Sequence, residues 1–290
     1  MKVLVTGASG QLGKCLQKQS KTTSGIEFLF ETSQTLDITS EEALKPYFQE
    51  HQPDFCINCA AYTNVEAAED DKTRAFQVNS EAVKSLARLC KIHQTKLVHV
   101  STDYVFDGLK LSPYVETDSV RPINIYGASK LQGETMVLEH MHSYFILRTS
   151  WLYSEFGHNF FNTILKKGEE RAELNITTEQ IGTPTNANDL AKFILNLIAA
   201  DSDAFGLYHY SNTGEATWYD FARLILEEKQ LEKEVSLKAT FSYPTKARRP
   251  KFSVMDKSKA EAIFQTQIPH WRESLVGLLK EVNQDLGHRE

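Results

Sequence analysis

The chain has 290 residues, enough to bury a large core, and its 41% hydrophobic and 24% charged residues are typical of a folded globular protein. The formal net charge of −6 argues against binding to nucleic acid, which usually requires clustered positive charge. Apolar stretches such as 193–200 are far shorter than a bilayer span, and residues 1–7 lack the core of a signal peptide. We therefore expect a cytoplasmic protein with no membrane segment.

Short apolar runs alternate with helical patterns as far as Thr149. Predicted strands lie at Lys2–Thr6, Ile26–Phe30, Phe55–Ala60, Leu97–Thr102 and Tyr144–Thr149, and predicted helices at Leu12–Gln19, Ser40–Gln49, Lys72–His93 and Ala128–His140. The strands show little polar alternation, as expected when helices cover both faces of a parallel sheet. The pattern predicts an α/β fold with a doubly wound parallel sheet of the Rossmann type, whose ligands bind beyond the carboxyl ends of the strands.

After Ser150 this alternation is lost. Predicted helices lie at His158–Lys167, Asp189–Ala200, Trp218–Glu228 and Pro269–Asn283, and predicted strands at Glu173–Thr177 and Leu207–Ser211. We expect a first domain of residues 1–149 plus about 173–205. A smaller C-terminal α/β lobe is expected to contain about 150–172 plus 206–290.

Three glycines connect the first predicted strand to the first predicted helix, in the sequence Gly7-Ala-Ser-Gly10-Gln11-Leu12-Gly13. Gly7 permits a tight turn, Gly10 lets the backbone approach a pyrophosphate, and Gly13 packs the helix on the strand. The helix N-terminus then presents N–H groups to the anion. The spacing is that of the short-chain dehydrogenase/reductase superfamily and predicts a nicotinamide dinucleotide site, although an ordinary glycine turn is the alternative.

The segment after the second strand bears on the choice of coenzyme. An acid there favours NAD and a basic residue NADP; Glu31-Thr-Ser contains no arginine, which favours NAD or dual use. Asp37 and Ile38 resemble the segment that contacts adenine in extended members of the superfamily. The alternative is that Asp37 caps the following helix.

Cys56 and Cys59 match the CxxC pattern of redox and metal sites. They lie three residues apart on a predicted strand, so their side chains point to opposite faces and cannot share a bond or an ion. We expect buried core cysteines instead.

Tyr126 and Lys130 have the Y-x-x-x-K spacing, which places both side chains on one face of a helix. An adjacent ammonium stabilises a phenolate, so we expect Lys130 to lower the pKa of Tyr126. Thr102 ends the fourth predicted strand, where its hydroxyl can hold a substrate oxygen beside Tyr126. Asn79 matches the superfamily asparagine that braces the lysine through water. The alternatives are a backbone-satisfying hydroxyl for Thr102 and a polar helix residue for Asn79.

The resemblance extends to one family in particular. Segments 10–13, 58–63, 101–108, 124–130, 147–153, 159–160, 179–185, 206–209 and 249–250 resemble those of dTDP-4-dehydrorhamnose reductases, in the same order along nearly the whole chain. The resemblance implies reduction of the C4 ketone of a dTDP-linked deoxysugar. NADPH, with NADH as a possibility, would supply the hydride, and Tyr126 the proton.

The same resemblance assigns further residues. It implies that Ala60, Ala61 and Tyr62 contact the coenzyme, and that the sugar nucleotide contacts Thr63, Tyr104, Trp151, Asn159, Gln180 and Arg249. Trp151 has the alternative role of a core aromatic residue, and Arg249 that of a surface charge. Some members of the family bind Mg²⁺ at a dimer contact through acidic residues. Because Cys15 stands at one of those positions, we predict no metal site and leave monomer and homodimer both open.

Two alternative functions remain. A nucleotide-sugar dehydratase of this fold has Asp-Glu after its threonine, whereas this chain has Asp103-Tyr104; a C4 epimerase uses the same trio but retains its NAD. A coenzyme-binding regulatory subunit, like the accessory subunit of methionine adenosyltransferase, would not need the trio.

Overall fold

A computed structural model describes residues 1–241 and 244–287 of the chain. Its strands are β1 (Lys2–Thr6), β2 (Glu27–Glu31), β3 (Phe55–Asn58), β4 (Lys96–Thr102), β5 (Tyr144–Thr149), β6 (Leu152–Tyr153), β7 (Leu174–Thr177), β8 (Ile181–Gly182), β9 (Thr185–Asn186), β10 (Gly206–His209), β11 (Ala216–Thr217) and β12 (Leu237–Thr240). Its α-helices are α1 (Gln11–Ser20), α2 (Glu41–His51), α3 (Val65–Ala68), α4 (Lys72–Phe76), α5 (Ala82–Ile92), α6 (Ile125–His140), α7 (Phe160–Glu169), α8 (Ala187–Ala199), α9 (Trp218–Glu228), α10 (Ser258–Phe264) and α11 (Trp271–Gly287).

The main sheet has six strands in the order β10-β5-β4-β3-β1-β2, and each neighbouring pair is parallel. The predicted doubly wound sheet is therefore confirmed. The chain leaves β1 towards β2 on one side and returns to β3 on the other, so the strand order reverses between β1 and β3. A crevice opens at the carboxyl ends of the strands at such a switch point.

Two apolar layers cover the two faces of this sheet. Val3 and Val5 pack into a cluster with α1 and α8, whereas Leu4 packs into a second cluster with α2 and α5. This division follows from the alternation of side chains along a strand. Cys56 belongs to the second cluster and Cys59 packs against the first, as predicted for thiols on opposite faces, and all four cysteines are free.

A third cluster lies outside the main sheet and is built around Tyr153, Phe161, Phe221 and Trp271. The part of the chain around this cluster is called the smaller lobe below. Its short strands pair as β7 with β12 and β8 with β11.

Two strands lie on the opposite side of the predicted lobe boundaries from the one expected. β10, placed by the prediction in the second lobe, pairs with β5 in the main sheet, whereas β7, placed with the first domain, pairs with β12 outside it. Both strands are short apolar runs, and their partners are remote in sequence. With these strands exchanged, the two-lobe division stays a prediction.

The long predicted helix 72–93 is interrupted. The structure divides it into α4, a π-helical turn at Gln77–Glu81, and α5. None of the helices in the described part of the chain combines the length and apolar character that a bilayer span requires.

Candidate active site

The glycine turn lies at the switch point of the sheet. Gly7 has φ of 68°, and a Cβ there would lie 2.5 Å from the backbone nitrogen of Ala60, in the segment after β3. A Cβ on Gly13 would lie 2.6 Å from Cα of Ala8, so α1 packs tightly on the turn. Gly10 precedes the first turn of α1, whose N–H groups have no acceptor within the helix. Only glycines leave this cradle open, and it fits a dinucleotide pyrophosphate.

A cleft of about 810 Å³ extends from this turn to the smaller lobe. It brings together most of the predicted site residues: Gly7, Gly10, Gln11, Leu12, Gly13, Asp37, Ile38, Ala60, Ala61, Tyr62, Thr63, Thr102, Tyr104, Tyr126, Lys130, Trp151, Asn159 and Arg249 all line it. Asn79 and Gln180 lie behind its walls. The roles assigned to these residues remain predictions.

Thr102 and Tyr126 come from different elements that meet at the cleft. Thr102 is the last residue of β4, and Tyr126 and Lys130 lie in the first turns of α6. A Cβ on Gly127 would lie 2.1 Å from the carbonyl oxygen of Tyr104, so this glycine lets α6 approach the segment after β4. The ring of Tyr104 meets that of Tyr126 edge-on, with centroids 5.8 Å apart.

Burial dominates the electrostatics of this group. Burial raises the pKa of Tyr126 to about 12, and a hydrogen bond with Thr102 opposes this rise. Burial lowers the pKa of Lys130 to about 8, and the Lys130 ammonium donates to the carbonyl of Val100 at 2.6 Å. In the protein alone, desolvation of the phenolate therefore sets the direction of the Tyr126 pKa shift. The expectation that Lys130 lowers the pKa of Tyr126 stays a prediction for the site with its coenzyme bound.

Asp103 is a buried carboxyl group beside this trio. Its Oδ1 accepts a hydrogen bond from the Thr102 hydroxyl at 3.1 Å, and burial raises its pKa to about 7. It orients the threonine hydroxyl. The sequence shows that Asp103 follows Thr102 in the motif, but the burial that raises its pKa depends on the folded structure.

Asn79 lies in the π-helical turn and is fully buried. Its amide accepts from the backbone N–H of Tyr62 at 2.8 Å, and donates to the Tyr62 carbonyl at 3.0 Å and the Ser129 hydroxyl at 2.9 Å. It thus holds the cleft wall at Tyr62 against α6. These contacts brace the backbone around Lys130, and the bracing of the lysine through water stays a prediction.

A buried ion pair that the sequence analysis missed lies below Lys130. Glu134, one turn further along α6, accepts from Arg148 Nε at 2.9 Å and Nη2 at 2.7 Å, and from the Ser101 hydroxyl at 2.5 Å. The Glu134 carboxylate favours the charged form of Lys130. The four-residue spacing from Lys130 to Glu134 was a usable signal, whereas nothing in the sequence links Arg148 to them.

Aromatic rings form the wall of the cleft in the smaller lobe. Trp151 stacks on Trp218 with centroids 3.7 Å apart, and a Cβ on Gly182 would lie 2.6 Å from the Trp151 ring. Gln180 accepts from the Trp218 indole N–H at 3.0 Å, so it positions a ring of the cleft instead of lining the cleft itself. Trp218 was missed because its partner Trp151 is remote in sequence.

Asn159 has its polar atoms engaged within the protein. Its Oδ1 caps α7 by accepting from the Asn162 N–H, and its amide nitrogen donates to Gln11 Oε1 at 2.6 Å and to the Ser154 carbonyl at 2.9 Å. These contacts give Asn159 a structural role, and its predicted contact with substrate stays a prediction. The Gln11 side chain, which also donates to the Leu152 carbonyl, thereby ties α1 to the smaller lobe.

Arg249 reaches the cleft from a segment held down by α3. Its Nη2 donates to Glu66 Oε1 at 2.9 Å, and Glu66 Oε2 accepts from the backbone N–H of Lys246 at 2.8 Å. A guanidinium in this position is able to meet an anionic group in the cleft.

Within residues 1–241 and 244–287, no cluster of three or more His, Cys, Asp or Glu side chains has an arrangement that would bind a metal ion. Cys15 packs in the core between α1 and α8, and burial raises its pKa to about 12.

Comparison with known proteins gives relatives along nearly the whole chain. A family model described as the RmlD substrate binding domain matches residues 1–284. The dTDP-4-dehydrorhamnose reductase of Aggregatibacter actinomycetemcomitans is 37% identical over 287 residues, covering 96% of this chain and 98% of that protein. The spore coat polysaccharide biosynthesis protein SpsK of Bacillus subtilis is 38% identical over 281 residues, covering 97% of each chain.

Solved structures agree with these relatives. The crystal structure of a dTDP-4-dehydrorhamnose reductase from Clostridium acetobutylicum has a TM-score of 0.93 at 36% identity, covering 98% of this chain and 100% of that chain. The dTDP-4-dehydrorhamnose reductase of Bacillus anthracis, in complex with NADP, has a TM-score of 0.91 at 37% identity, covering 97% of this chain and 99% of that chain.

Proposed function

Since the chain belongs to the dTDP-4-dehydrorhamnose reductase family, we propose that it reduces the C4 ketone of dTDP-4-dehydro-L-rhamnose to give dTDP-L-rhamnose, with NADPH or NADH as coenzyme. The observation that carries the proposal is the meeting of Thr102, Tyr126 and Lys130 in one cleft with the glycine turn. The reaction is proposed to take place in the cytoplasm. Monomer and homodimer are both compatible with the proposal.

The coenzyme, when bound at the glycine turn, supplies a hydride to the carbonyl carbon. The Thr102 hydroxyl, whose proton turns from Asp103 Oδ1 to the carbonyl oxygen, holds that oxygen in place. Tyr126 donates its phenolic proton to that oxygen, which prevents an alkoxide from accumulating. A pKa of about 12 keeps the phenol protonated at neutral pH, so the proton is available when negative charge develops on the substrate oxygen. The Lys130 ammonium then stabilises the phenolate that remains.

The smaller lobe is proposed to hold the sugar nucleotide. Tyr104 and Trp151 offer ring faces and edges to the sugar, and Thr63 a hydroxyl. Arg249 faces the diphosphate, for which it has to exchange part of its hydrogen bonding with Glu66.

The test supplies dTDP-4-keto-6-deoxyglucose together with a 3,5-epimerase and follows the absorbance of NADPH and NADH. We expect net coenzyme consumption by the wild type. Tyr126→Phe should keep coenzyme binding and lose about 100-fold or more in kcat, because only the proton donor is removed. Tyr144→Phe, at the opposite end of the sheet, is the matched control and should retain full activity.

Near-normal turnover by Tyr126→Phe would remove the tyrosine from this role. Coenzyme that stays bound through gel filtration and is not consumed would instead support the epimerase alternative. Coenzyme binding without oxidation by any keto sugar nucleotide would support the regulatory subunit.

A further inference from the structure

The acid that ends β2 is drawn away from the coenzyme cleft. Glu31 Oε1 accepts a hydrogen bond from the Tyr47 hydroxyl of α2 at 2.8 Å. Leu29, on the same face of the strand, packs into the cluster that contains Leu44 and Phe48 of α2. An acid in this position would hold the ribose diol of NAD. Because the Glu31 carboxylate is instead engaged by α2, this preference for NAD loses its structural basis.

An arginine from another element lies at the same end of the cleft. Arg74, in α4, lines the cleft together with Ser33 and Asp37 from the segment after β2. Hydrogen bonds from Thr39 lower the pKa of the Asp37 carboxyl, and the Arg74 charge adds to this effect.

The Arg74 side chain has donors available for a ligand. It is exposed at the mouth of the cleft, and its one hydrogen bond among the described residues runs from Nη1 to Gln77 Oε1 at 3.0 Å. An arginine carries five N–H donors in a planar fork, whose geometry matches two oxygens of a phosphate group. The Ser33 hydroxyl is a further donor at the same place.

We propose that Arg74, assisted by Ser33, binds the 2′-phosphate of NADPH and makes the protein prefer NADPH over NADH. This inference rests on the proposed function, because it presumes that the cleft holds a nicotinamide dinucleotide. The segment after β2 supplies no basic residue, and α4 supplies one from about forty residues further along the chain. The residue that sets the coenzyme preference therefore lies outside the segment after β2, from which the preference is usually predicted.

Direct binding of coenzyme tests the proposal without any sugar substrate. Dissociation constants for NADPH and NADH would be measured by isothermal titration for the wild type, Arg74→Gln, Arg74→Lys and Arg88→Gln. Arg88 is an exposed arginine of α5, so its variant carries the same charge change away from the cleft.

We expect the wild type to bind NADPH more tightly than NADH. Arg74→Gln should weaken NADPH binding about tenfold, leave NADH binding within about twofold, and lower the salt dependence of NADPH binding. Arg74→Lys should retain part of the preference, and Arg88→Gln all of it. NADH binding by each variant also reports that the cleft is intact.

Equal weakening of both coenzymes, an unchanged preference in Arg74→Gln, or a wild type that does not prefer NADPH would overturn the proposal. These outcomes are separate from those for the reaction. A protein that fails to reduce the keto sugar nucleotide but loses its NADPH preference in Arg74→Gln would refute the proposed reaction and leave this inference standing.

Discussion

Glu134 and Arg148 are 1% and 3% exposed, so each charge would be costly to bury alone. Arg148 meets both carboxylate oxygens of Glu134, and its guanidinium also lies over the Phe106 ring at 5.2 Å. Since Glu134 follows Lys130 by one helical turn, the pair supports both the position and the charge of the proposed catalytic lysine.

Glu134→Gln should lower the free energy of unfolding by about 3–5 kcal/mol, because a neutral amide leaves the Arg148 cation buried without an anion. Urea unfolding monitored by circular dichroism measures the change. Glu134→Met combined with Arg148→Met should recover most of the stability, since neither charge of the pair is left buried without its partner. Glu41→Gln, which breaks an exposed pair with Lys45, is the control and should change little. A loss below about 1 kcal/mol in Glu134→Gln would contradict this account.

At this scale the sequence predicts geometry better than electrostatics. The spacing of Tyr126 and Lys130 places them on one face of α6 because helical periodicity is local. The direction of the Tyr126 pKa shift depends on how much water the folded cleft removes, which no spacing encodes. The same holds for Asn159, whose residue type fits a substrate contact but whose amide is engaged by Gln11 and Ser154.

The start of α6 is fixed by three chain segments. Asn124 Oδ1 caps the helix by accepting from the Gly127 N–H at 2.7 Å, and its Nδ2 donates to the Arg248 carbonyl at 2.7 Å. Glu69, after α3, accepts from the Ile125 N–H at 2.8 Å. Because Tyr126 lies in this first turn, the position of its hydroxyl depends on the cap.

Asn124→Ala should lower the free energy of unfolding by about 1–2 kcal/mol, reduce kcat and raise KM for the sugar nucleotide, because the helix loses its cap and its tie to the Arg248 segment. Asn124→Asp is the informative comparison. Aspartate is also a good N-cap but lacks the N–H donor, so stability should largely return while KM for the sugar nucleotide stays raised. Urea unfolding and steady-state kinetics measure the two effects. Wild-type values for both quantities in Asn124→Ala would contradict the role assigned to this cap.

Elements with strong local patterns were predicted, and those that depend on tertiary pairing were not. The strands of the main sheet up to β5 have continuous apolar runs bounded by turn residues, and they appear within a few residues of the predicted bounds. The π-helical turn at Gln77–Glu81 leaves the amphipathic pattern nearly unchanged, so the sequence predicts one continuous helix over 72–93. That turn presents Asn79 to Tyr62, an interaction between segments that sequence periodicity does not reveal.

In the whole molecule, polar contacts join α1 to the part of the chain around the third cluster. Lys18 of α1 contacts Glu155 at 2.8 Å and Glu281 of α11 at 2.9 Å. Together with the Gln11 contacts, these fix the cleft between the sheet and the smaller lobe. β10 joins the main sheet after the chain has already entered the smaller lobe. A prediction that divides the chain by sequence order therefore misplaces β7 and β10.

His209, at the end of β10, links the sheet edge to the remote segment that contains Tyr114 and Glu116. The ring is fully buried, its Nδ1 donates to the Tyr114 carbonyl at 3.1 Å, and its backbone N–H donates to Glu116 at 3.0 Å. Burial, with the charges of Arg148 and Lys257 beside it, lowers the pKa of His209 to about 3. The folded protein therefore keeps this imidazole neutral at pH values where the unfolded chain protonates it.

Acid should therefore destabilise the fold through His209. Its contribution to stability is complete above the unfolded pKa of about 6.5 and is lost at about 1.4 kcal/mol per pH unit as the pH falls towards 3. His209→Asn keeps a donor for the Tyr114 carbonyl but cannot titrate, so its stability should fall less steeply with acid than that of the wild type. Urea unfolding at pH 7, 6, 5 and 4.5 measures the two slopes, and His142→Asn, at an exposed position, is the control. Parallel slopes for His209→Asn and the wild type would show that this histidine is not held neutral by the fold.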